Sequence, residues 1–234
     1  MSQPVKRNHN ESLVLTGDLA GLPMELTEHL ALQQSLRHYK KGQVLFYEGN
    51  RAFGMHYLNS GKVKLSMYTP DGKIYITRIA TAGDLLGCHA FFTDEVYGVS
   101  AELLEDATVC FIERDQIREI QAQDPQFGFR MLSKLARELR QAEDKAAHIA
   151  YESIPERLAA LLMSLRESFG QTREDGQIRL DILLSREEIA SMLGTTVETT
   201  VRTLSRFKQL NLIGADKKNI LIKDIGKLNS LIPV

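Results

Sequence analysis

Two cysteines in 234 residues are too few for a disulfide framework. They also exclude an iron–sulfur cluster or a structural zinc site that needs several cysteines from one chain. Long apolar runs are missing as well: no stretch of about 18 apolar residues occurs, so no transmembrane helix is expected. The N-terminal stretch MSQPVKRNHNESLVL carries Lys6 and Arg7 but no apolar core ahead of a small-residue cleavage site. No secretory signal is read there, and a cytoplasmic location with no membrane partner is expected. Charge of one sign is lacking too, the net being −1. Residues 1–152 carry 17 Lys+Arg against 20 Asp+Glu, or −3, and residues 153–234 carry 12 against 10, or +2. That asymmetry is too small to indicate nucleic acid by itself. What is present is ordinary for a globular chain, 43% apolar and 25% charged, with length enough for two modest domains.

Three segments follow one another. Residues 39–113 hold short apolar stretches separated by Gly-containing turns, with alternation at Val63-Leu65-Met67 and Ile74-Ile76 and a turn signal, TPDGK, set by Pro70 and Gly72. Many short strands at close spacing predict a compact β-roll, preceded by a short helix over 24–35 that Pro23 starts. Across 115–150 the period changes. Leu132, Leu135, Leu139, Ala142, Ala146 and Ile149 recur at alternating spacings of three and four, a heptad seam. Such a seam packs either on the chain's own roll or on a second copy, and the small residues Ala142 and Ala146 favour close approach of two helices. At Ser153-Ile154-Pro155-Glu156 the chain restarts with a capping box. The expected organisation is therefore a β-roll over 1–114, a dimerisation helix and hinge over 115–152, and a third domain over 153–234.

In that third domain, Arg157–Phe169 reads as a helix, GQTREDGQ as a polar loop, and LSREEIASMLG as a helix capped by Ser185 and Glu188 and closed by Gly194. TTVETTVRTLSRF begins another helix almost at once, and ADKKNILIKD reads as a turn between two short strands. Two helices across a tight turn, then a strand pair, predict a winged helix-turn-helix, and the fold class is α+β. Threonine and valine are mediocre helix formers, so their density at 195–201 asks for a reason. In a helix-turn-helix the N-terminal residues of the second helix meet base edges. Thr196, Val197, Glu198 and Arg202 are placed on that face, with Val201, Leu204 and Thr200 inward. Glu198 and Arg202 lie one turn apart. Arg bonds guanine bidentately, Glu accepts from cytosine, and Val197 suits a thymine methyl group. The bland alternative for the same pair is an i,i+4 surface salt bridge. Thr195, Ser185, Arg206, Lys208, Lys217 and Lys218 are the phosphate-contact candidates.

The order of roll, seam helix, capped hinge, helix-turn-helix and wing resembles the family of the cyclic-AMP receptor protein and the fumarate–nitrate reduction regulator over about residues 20–230. The most specific piece is Arg186, Glu188, Ile189, Gly194, Glu198, Thr199, Arg202 and Leu204. Gly42, Gly49, Gly61, Gly72, Gly83 and Gly87 match the roll. The resemblance implies a cyclic-nucleotide-binding-like jelly roll and a bacterial homodimeric transcription regulator whose effector site lies in the roll. It implies that Glu198 and Arg202 read the shared core of the half-site, and that a surface meets RNA polymerase. Val197 is similar to the fumarate–nitrate type and departs from the cyclic-AMP type, which has Arg there. The implied target is a palindrome close to TTGAT, about four base pairs, ATCAA.

The same comparison bears on the effector. Where the cyclic-AMP type holds phosphate and ribose, this chain has Gly87-Cys88-His89 and, near the Arg-Ser position, Tyr97-Gly98. No Arg occurs from 79 to 113, and Ala142-Glu143 replaces the adenine-contacting pair. A buried phosphate would lack a guanidinium, which argues against cyclic AMP. The fumarate–nitrate cysteine cluster is absent. Gly87, Cys88, His89 and Tyr97 are the candidate effector pocket. Cys88-His89 stands where gas-sensing relatives place a haem ligand, so haem is a candidate cofactor beside an unidentified one. No metal site is expected. An oxygenase built on such a roll would need a 2-His-1-carboxylate set, which His56 and His89 lack, so no enzyme is expected. A regulatory module that binds protein rather than DNA is the remaining alternative.

Overall fold

A computed structural model describes residues 13, 15–26 and 36–233. The chain divides into two compact units, one built on residues up to Met67 and on Thr77–Glu138, the other on Tyr68–Ile76 and Leu139–Val234.

The first unit is the roll, made of two four-stranded sheets. One runs in the order β1 (Arg37–Tyr39), β8 (Ala107–Glu113), β3 (Gly54–Ser60), β6 (Leu85–Leu86). The other runs β2 (Val44–Phe46), β7 (Ser100–Leu103), β4 (Lys62–Tyr68), β5 (Ile74–Thr81). Alternation decides which side chains enter. Val63 and Leu65 are buried, while Lys62 and Lys64 turn out to pair with Glu105 and Glu102. The alternation stops at Leu65. Met67 and Ile74, read from sequence as part of the buried pattern, are exposed near the TPDGK turn, beyond the reach of the core. That turn is closed by Gly72 N–H donating to Thr69 O at 2.8 Å, with Gly72 at positive φ. The expected helix over 24–35 is helical at 24–26, and its remainder lies outside the described residues.

Two helices, not one, follow the roll's last strand: α2 (Arg114–Gln123) and α3 (Pro125–Tyr151), after the short α1 (Cys88–Thr93). The break falls at Asp124, whose φ/ψ of −127°/91° is extended. A proline next in sequence disfavours the helical region there. On α3, Phe127, Met131 and Lys134 are buried. Lys134 Nζ lies 2.6 Å from Asp18, 3.1 Å from Glu138 and 3.8 Å from Asp84; Arg78 pairs with Glu138 at 3.0 Å. Burial and Arg78 oppose the Lys134 charge, but Asp18 and Glu138 outweigh them and hold its pKa above the ordinary lysine value. Of the seam residues, Leu132 and Leu139 are 63% and 61% exposed, and Ala142, Ala146 and Ile149 are exposed with them. Leu135 is the correction: it is half-buried and packs on the roll's core cluster.

The second unit contains α4 (Ile154–Phe169), β9 (Gly170–Thr172), β10 (Ile178–Leu180), α5 (Arg186–Leu193), α6 (Val197–Gln209), β11 (Ile213–Asp216), β12 (Asn219–Ile222) and α7 (Ile225–Asn229). The stretch GQTREDGQ, expected as a loop, supplies strand β9, and its sheet runs β11-β12-β10-β9. Leu158, Leu162, Leu165 and Phe169 of α4 are buried, as are Ile189 and Leu193 of α5 and Leu204 and Phe207 of α6.

Inside the roll, His56 is 9% exposed among aromatic rings, 4.8 Å from Phe111 and 5.3 Å from Phe46, and its Nδ1 has no hydrogen-bond partner. Burial, with the Arg37 charge second, pushes the imidazole down to about 4. The folded state therefore keeps His56 neutral while the unfolded chain protonates it below about 6.5. Stability on this account falls as pH drops from about 6.5 to about 4, by roughly 3 kcal/mol at most. Urea unfolding of wild type and His56→Leu at pH 7 and pH 4.5 checks this. The variant's loss on acidification is expected to be smaller by about 2 kcal/mol; equal losses would refute the assignment.

Candidate nucleic-acid interface

The corner between α5 and α6 is built from local chemistry. At the start of α5, the Ser185 hydroxyl accepts from Glu188 N–H at 3.1 Å while the Glu188 carboxylate accepts from Ser185 N–H at 2.9 Å. Both otherwise unpaired donors are satisfied by this reciprocal cap. At its end, Gly194 takes the left-handed conformation, φ 64°. Its N–H reaches the carbonyls of Ala190 and Ser191, and Thr195 N–H donates to Ala190 O at 3.0 Å. This is a Schellman closure. Arg157 Nη1 from α4 donates to Leu193 O at 2.8 Å and holds a further terminal carbonyl. Two residues later Thr196 caps α6, accepting from Thr199 N–H at 3.2 Å.

The threonines of α6 therefore divide by role. Thr196 is the cap. Thr200 and Thr203 are buried, each donating its hydroxyl four residues back, to Thr196 O at 3.0 Å and Thr199 O at 2.8 Å. Back-bonding satisfies the buried hydroxyls, so these two poor helix formers serve the core. Leu204 and Phe207 complete the inward face. Val201, read from sequence as inward, is 43% exposed and stands beside Val197 at 39%. Four residues per turn put Val197, Val201 and Ser205 on one stripe and Glu198 and Arg202 on the next. Glu198 and Arg202 form no ion pair with each other, so the surface salt bridge that competes with a recognition role is not made. The outward face of α6 presents two apolar side chains beside one free acceptor and one free donor.

Basic residues rim that face. Arg206 and Lys208 are exposed in the last turn of α6, where cations also favour the helix C-terminus. Lys217 and Lys218 are exposed at the tip between β11 and β12. The acidic Asp216 beside them is taken up by Arg173 at 2.8 Å and Arg179 at 3.5 Å. Ser185 is exposed but its hydroxyl is committed to the α5 cap, and Thr195 is half-buried in the turn.

Comparison with known proteins agrees with this architecture. The cyclic nucleotide-binding domain family matches residues 36–124, and the Crp-like helix-turn-helix domain family matches residues 156–231. The transcriptional activator protein Anr of Pseudomonas protegens is 31% identical over 239 residues, covering 99% of this chain and 97% of that one. The chain belongs to the CRP/FNR family of transcription regulators. A CRP-like cAMP-activated global transcriptional regulator of Mycobacterium tuberculosis is 29% identical over 219 residues, 94% of this chain and 97% of its own. Among solved structures, FixK2 from Bradyrhizobium japonicum has a TM-score of 0.75 at 23% identity, covering 86% of this chain and 98% of its own. A CooA mutant from Carboxydothermus hydrogenoformans has 0.74 at 25%, covering 93% and 96%. As a CRP/FNR regulator the protein is DNA-binding and not an enzyme, and none of its described helices is long and apolar enough to cross a membrane.

The candidate effector residues of this regulator do not converge. Cys88 is buried, its Sγ donating to Leu85 O at 3.2 Å beside Met55 Sδ at 3.8 Å, and burial pushes the thiol up to about 12. Such a thiol is inert rather than nucleophilic or ligating. His89, one residue on, is exposed. Tyr97 stacks on Phe46 at 3.9 Å between centroids, and its ring edge lies 2.9 Å from where a Cβ on Gly87 would stand. This donor set does not fit an axial haem pair. Cys110 is buried likewise, also pushed up to about 12, so the two cysteines do not form a poised redox pair. An open cleft of 470 Å³ occurs elsewhere in the first unit, lined by Gly17, Asp18, Phe129, Arg130, Ser133 and Arg137, and sequence reasoning did not foresee it.

The Gly194 corner is testable on its own. A Cβ there would meet nothing closer than 3.8 Å, so a substitution pays only for the left-handed backbone. Gly194→Ala is expected to destabilise the second unit by about 1 kcal/mol, with Gly194→Asn costing less. Thermal unfolding of the three proteins measures the order; equal midpoints would remove the constraint.

Proposed function

We propose that the protein is a homodimeric, sequence-specific regulator that lays α6 in the major groove of each half of a palindrome close to TTGAT, about four base pairs, ATCAA. The observation that carries this reading is the unpaired outward face of α6. Arg202 is free to fork onto a guanine, Glu198 to accept from a cytosine, and Val197 and Val201 to meet thymine methyl groups. Arg206, Lys208, Lys217 and Lys218, with Ser185 at the start of α5 and Thr195 in the turn after it, fall to the phosphates and set register. The half-site preference rests on Val197, which stands where the cyclic-AMP type carries Arg.

The exposed stripe of Leu132, Leu139, Ala142, Ala146 and Ile149 supports dimerisation along α3, and two copies side by side match the two-fold symmetry of a palindrome. A DNA target places the protein in the cytoplasm, and control of transcription engages RNA polymerase. The signal enters at the roll and is neither cyclic AMP nor an iron–sulfur cluster, as the missing guanidinium and the cysteine count argue.

Competition binding on labelled duplexes tests the DNA reading. Arg202→Ala is expected to cost roughly 1–3 kcal/mol for each half-site of the TTGAT palindrome and to flatten discrimination at one base pair in each. Lys217→Ala with Lys218→Ala is expected to weaken binding to all sequences alike and, with two lysines lost from each protomer, to lower the salt slope by about 4. A wild-type preference for TGTGA half-sites would sink the assigned palindrome. Sedimentation of Leu132→Glu/Leu139→Glu is expected to show monomers that no longer hold the palindrome; an intact dimer would move the interface elsewhere.

A further inference from the structure

Residues 68–76, the tip of the β4–β5 hairpin, belong to the same compact unit as α5 and α6. β5 is the last strand of its sheet, and a last strand presents unpaired backbone groups. Here side chains occupy them. The Ser191 hydroxyl, on α5, donates to Ile74 O at 2.7 Å and accepts from Ile76 N–H at 2.8 Å. It thus takes the place of one residue of a neighbouring strand, donating to residue i and accepting from residue i+2. Lys145 Nζ, from α3, donates to the next carbonyl, Ile76 O, at 2.9 Å, and lies 4.5 Å from the centre of the Tyr75 ring. Two helices therefore grip three residues of strand edge, Ile74 to Ile76, by three hydrogen bonds.

We propose that Ser191 and Lys145 are positioning residues for DNA recognition, forming a polar clasp that fixes α5 against the hairpin tip and, through the Gly194 corner, fixes the orientation of α6. The proposal rests on the DNA-binding role of α6. A single hydroxyl acting as donor and acceptor to two groups of one strand tolerates neither sliding nor rotation of the helix that bears it. Ser191 stands three residues before Gly194, so the clasp and the corner share the last turn of α5. Nothing in the clasp touches the outward face of α6. Its effect is therefore on where that face points, not on which bases it reads. A palindrome must be met by two such faces at once, so an orientation left loose costs more on two half-sites than on one.

The experiment uses the full-length protein and reads two quantities. The first, without DNA, is amide hydrogen exchange at Ile76. Ser191→Ala is expected to speed it by about tenfold, the loss of one hydrogen bond. Ser191→Thr, which keeps the hydroxyl, is expected to restore it. The second is affinity for the TTGAT palindrome relative to a duplex holding one half-site. Ser191→Ala and Lys145→Met are each expected to lower that ratio about threefold or more, with base preference unchanged. Unchanged exchange at Ile76 in Ser191→Ala would overturn the clasp. Faster exchange with an unchanged ratio would overturn its positioning role. Absence of palindrome binding by wild type would instead count against the DNA reading, and the exchange result would still decide whether the clasp exists.

Discussion

One backbone conformation carries the proposed recognition surface. Gly194 sits at φ 64°, where a side chain is strained whatever the space around it. The left-handed Gly194 and the extended Thr196, φ/ψ −81°/153°, together turn the chain between α5 and α6. The neighbouring interactions converge on the same corner. The Schellman hydrogen bonds close α5, Arg157 holds its last carbonyl, and Thr196 opens α6 two residues later. With start and direction fixed, burial of Thr200, Thr203, Leu204 and Phe207 sets the rotation of α6 about its axis. The face left over, Val197, Glu198, Val201 and Arg202, is then a consequence rather than an independent feature. A recognition helix needs this kind of determination, because a bidentate contact to a base edge tolerates little error in side-chain placement.

Features that depend on a few consecutive residues were legible in the sequence. The capping boxes at Ser153 and Ser185 lie where the spacing placed them, and the TPDGK turn and the Gly194 stop are present. Each is local chemistry that the chain satisfies without distant partners. Misreadings arose where the third dimension decides. Val201 and Thr200 are adjacent, and either suits an interior by composition. The hydroxyl of Thr200 finds Thr196 O inside, and Val201 goes outward. Leu135 fits the heptad by spacing, yet the roll packs against that side of α3. The polar stretch GQTREDGQ supplies strand β9 because β10 offers it a backbone ladder, which no hydropathy pattern announces. The contacts of longest range left no trace at all: Lys134 with Asp18 and Asp84, and Ser191 with residue 74, 117 positions earlier.

The two halves of the chain differ in how far family membership informs them. On the DNA side, the Crp-like helix-turn-helix match over residues 156–231 coincides with the α5–Gly194–α6 corner. On the roll side, the cyclic nucleotide-binding domain match covers residues 36–124 and leaves the chemistry of the interior to the side chains themselves. Tyr97 stacks on Phe46 and leans over Gly87, His56 sits among three rings with its Nδ1 unbonded, and Cys88 is tied to Leu85. An interior filled by aromatic packing offers apolar contact and few donors. That chemistry suits neither a cyclic phosphate nor an axial ligand pair.

Helix α3 carries two kinds of face that explain its composition together. Its buried side joins the roll through Phe127 and Met131 and through Lys134, whose charge is matched by Asp18, Glu138 and Asp84. A buried ammonium in such a network is costly to shift, because moving it strands several carboxylates at once. Its other side is an exposed run of leucine and alanine. Apolar packing of that kind adapts by small sliding of one helix on another, since it makes no directional bonds. A charged, directional attachment on one side and a slippery, apolar one on the other divide the work of the helix. Within the first unit the polar side fixes the helix to the strands of the roll. The apolar side is where movement costs least, and this is the side that the proposed dimer would use.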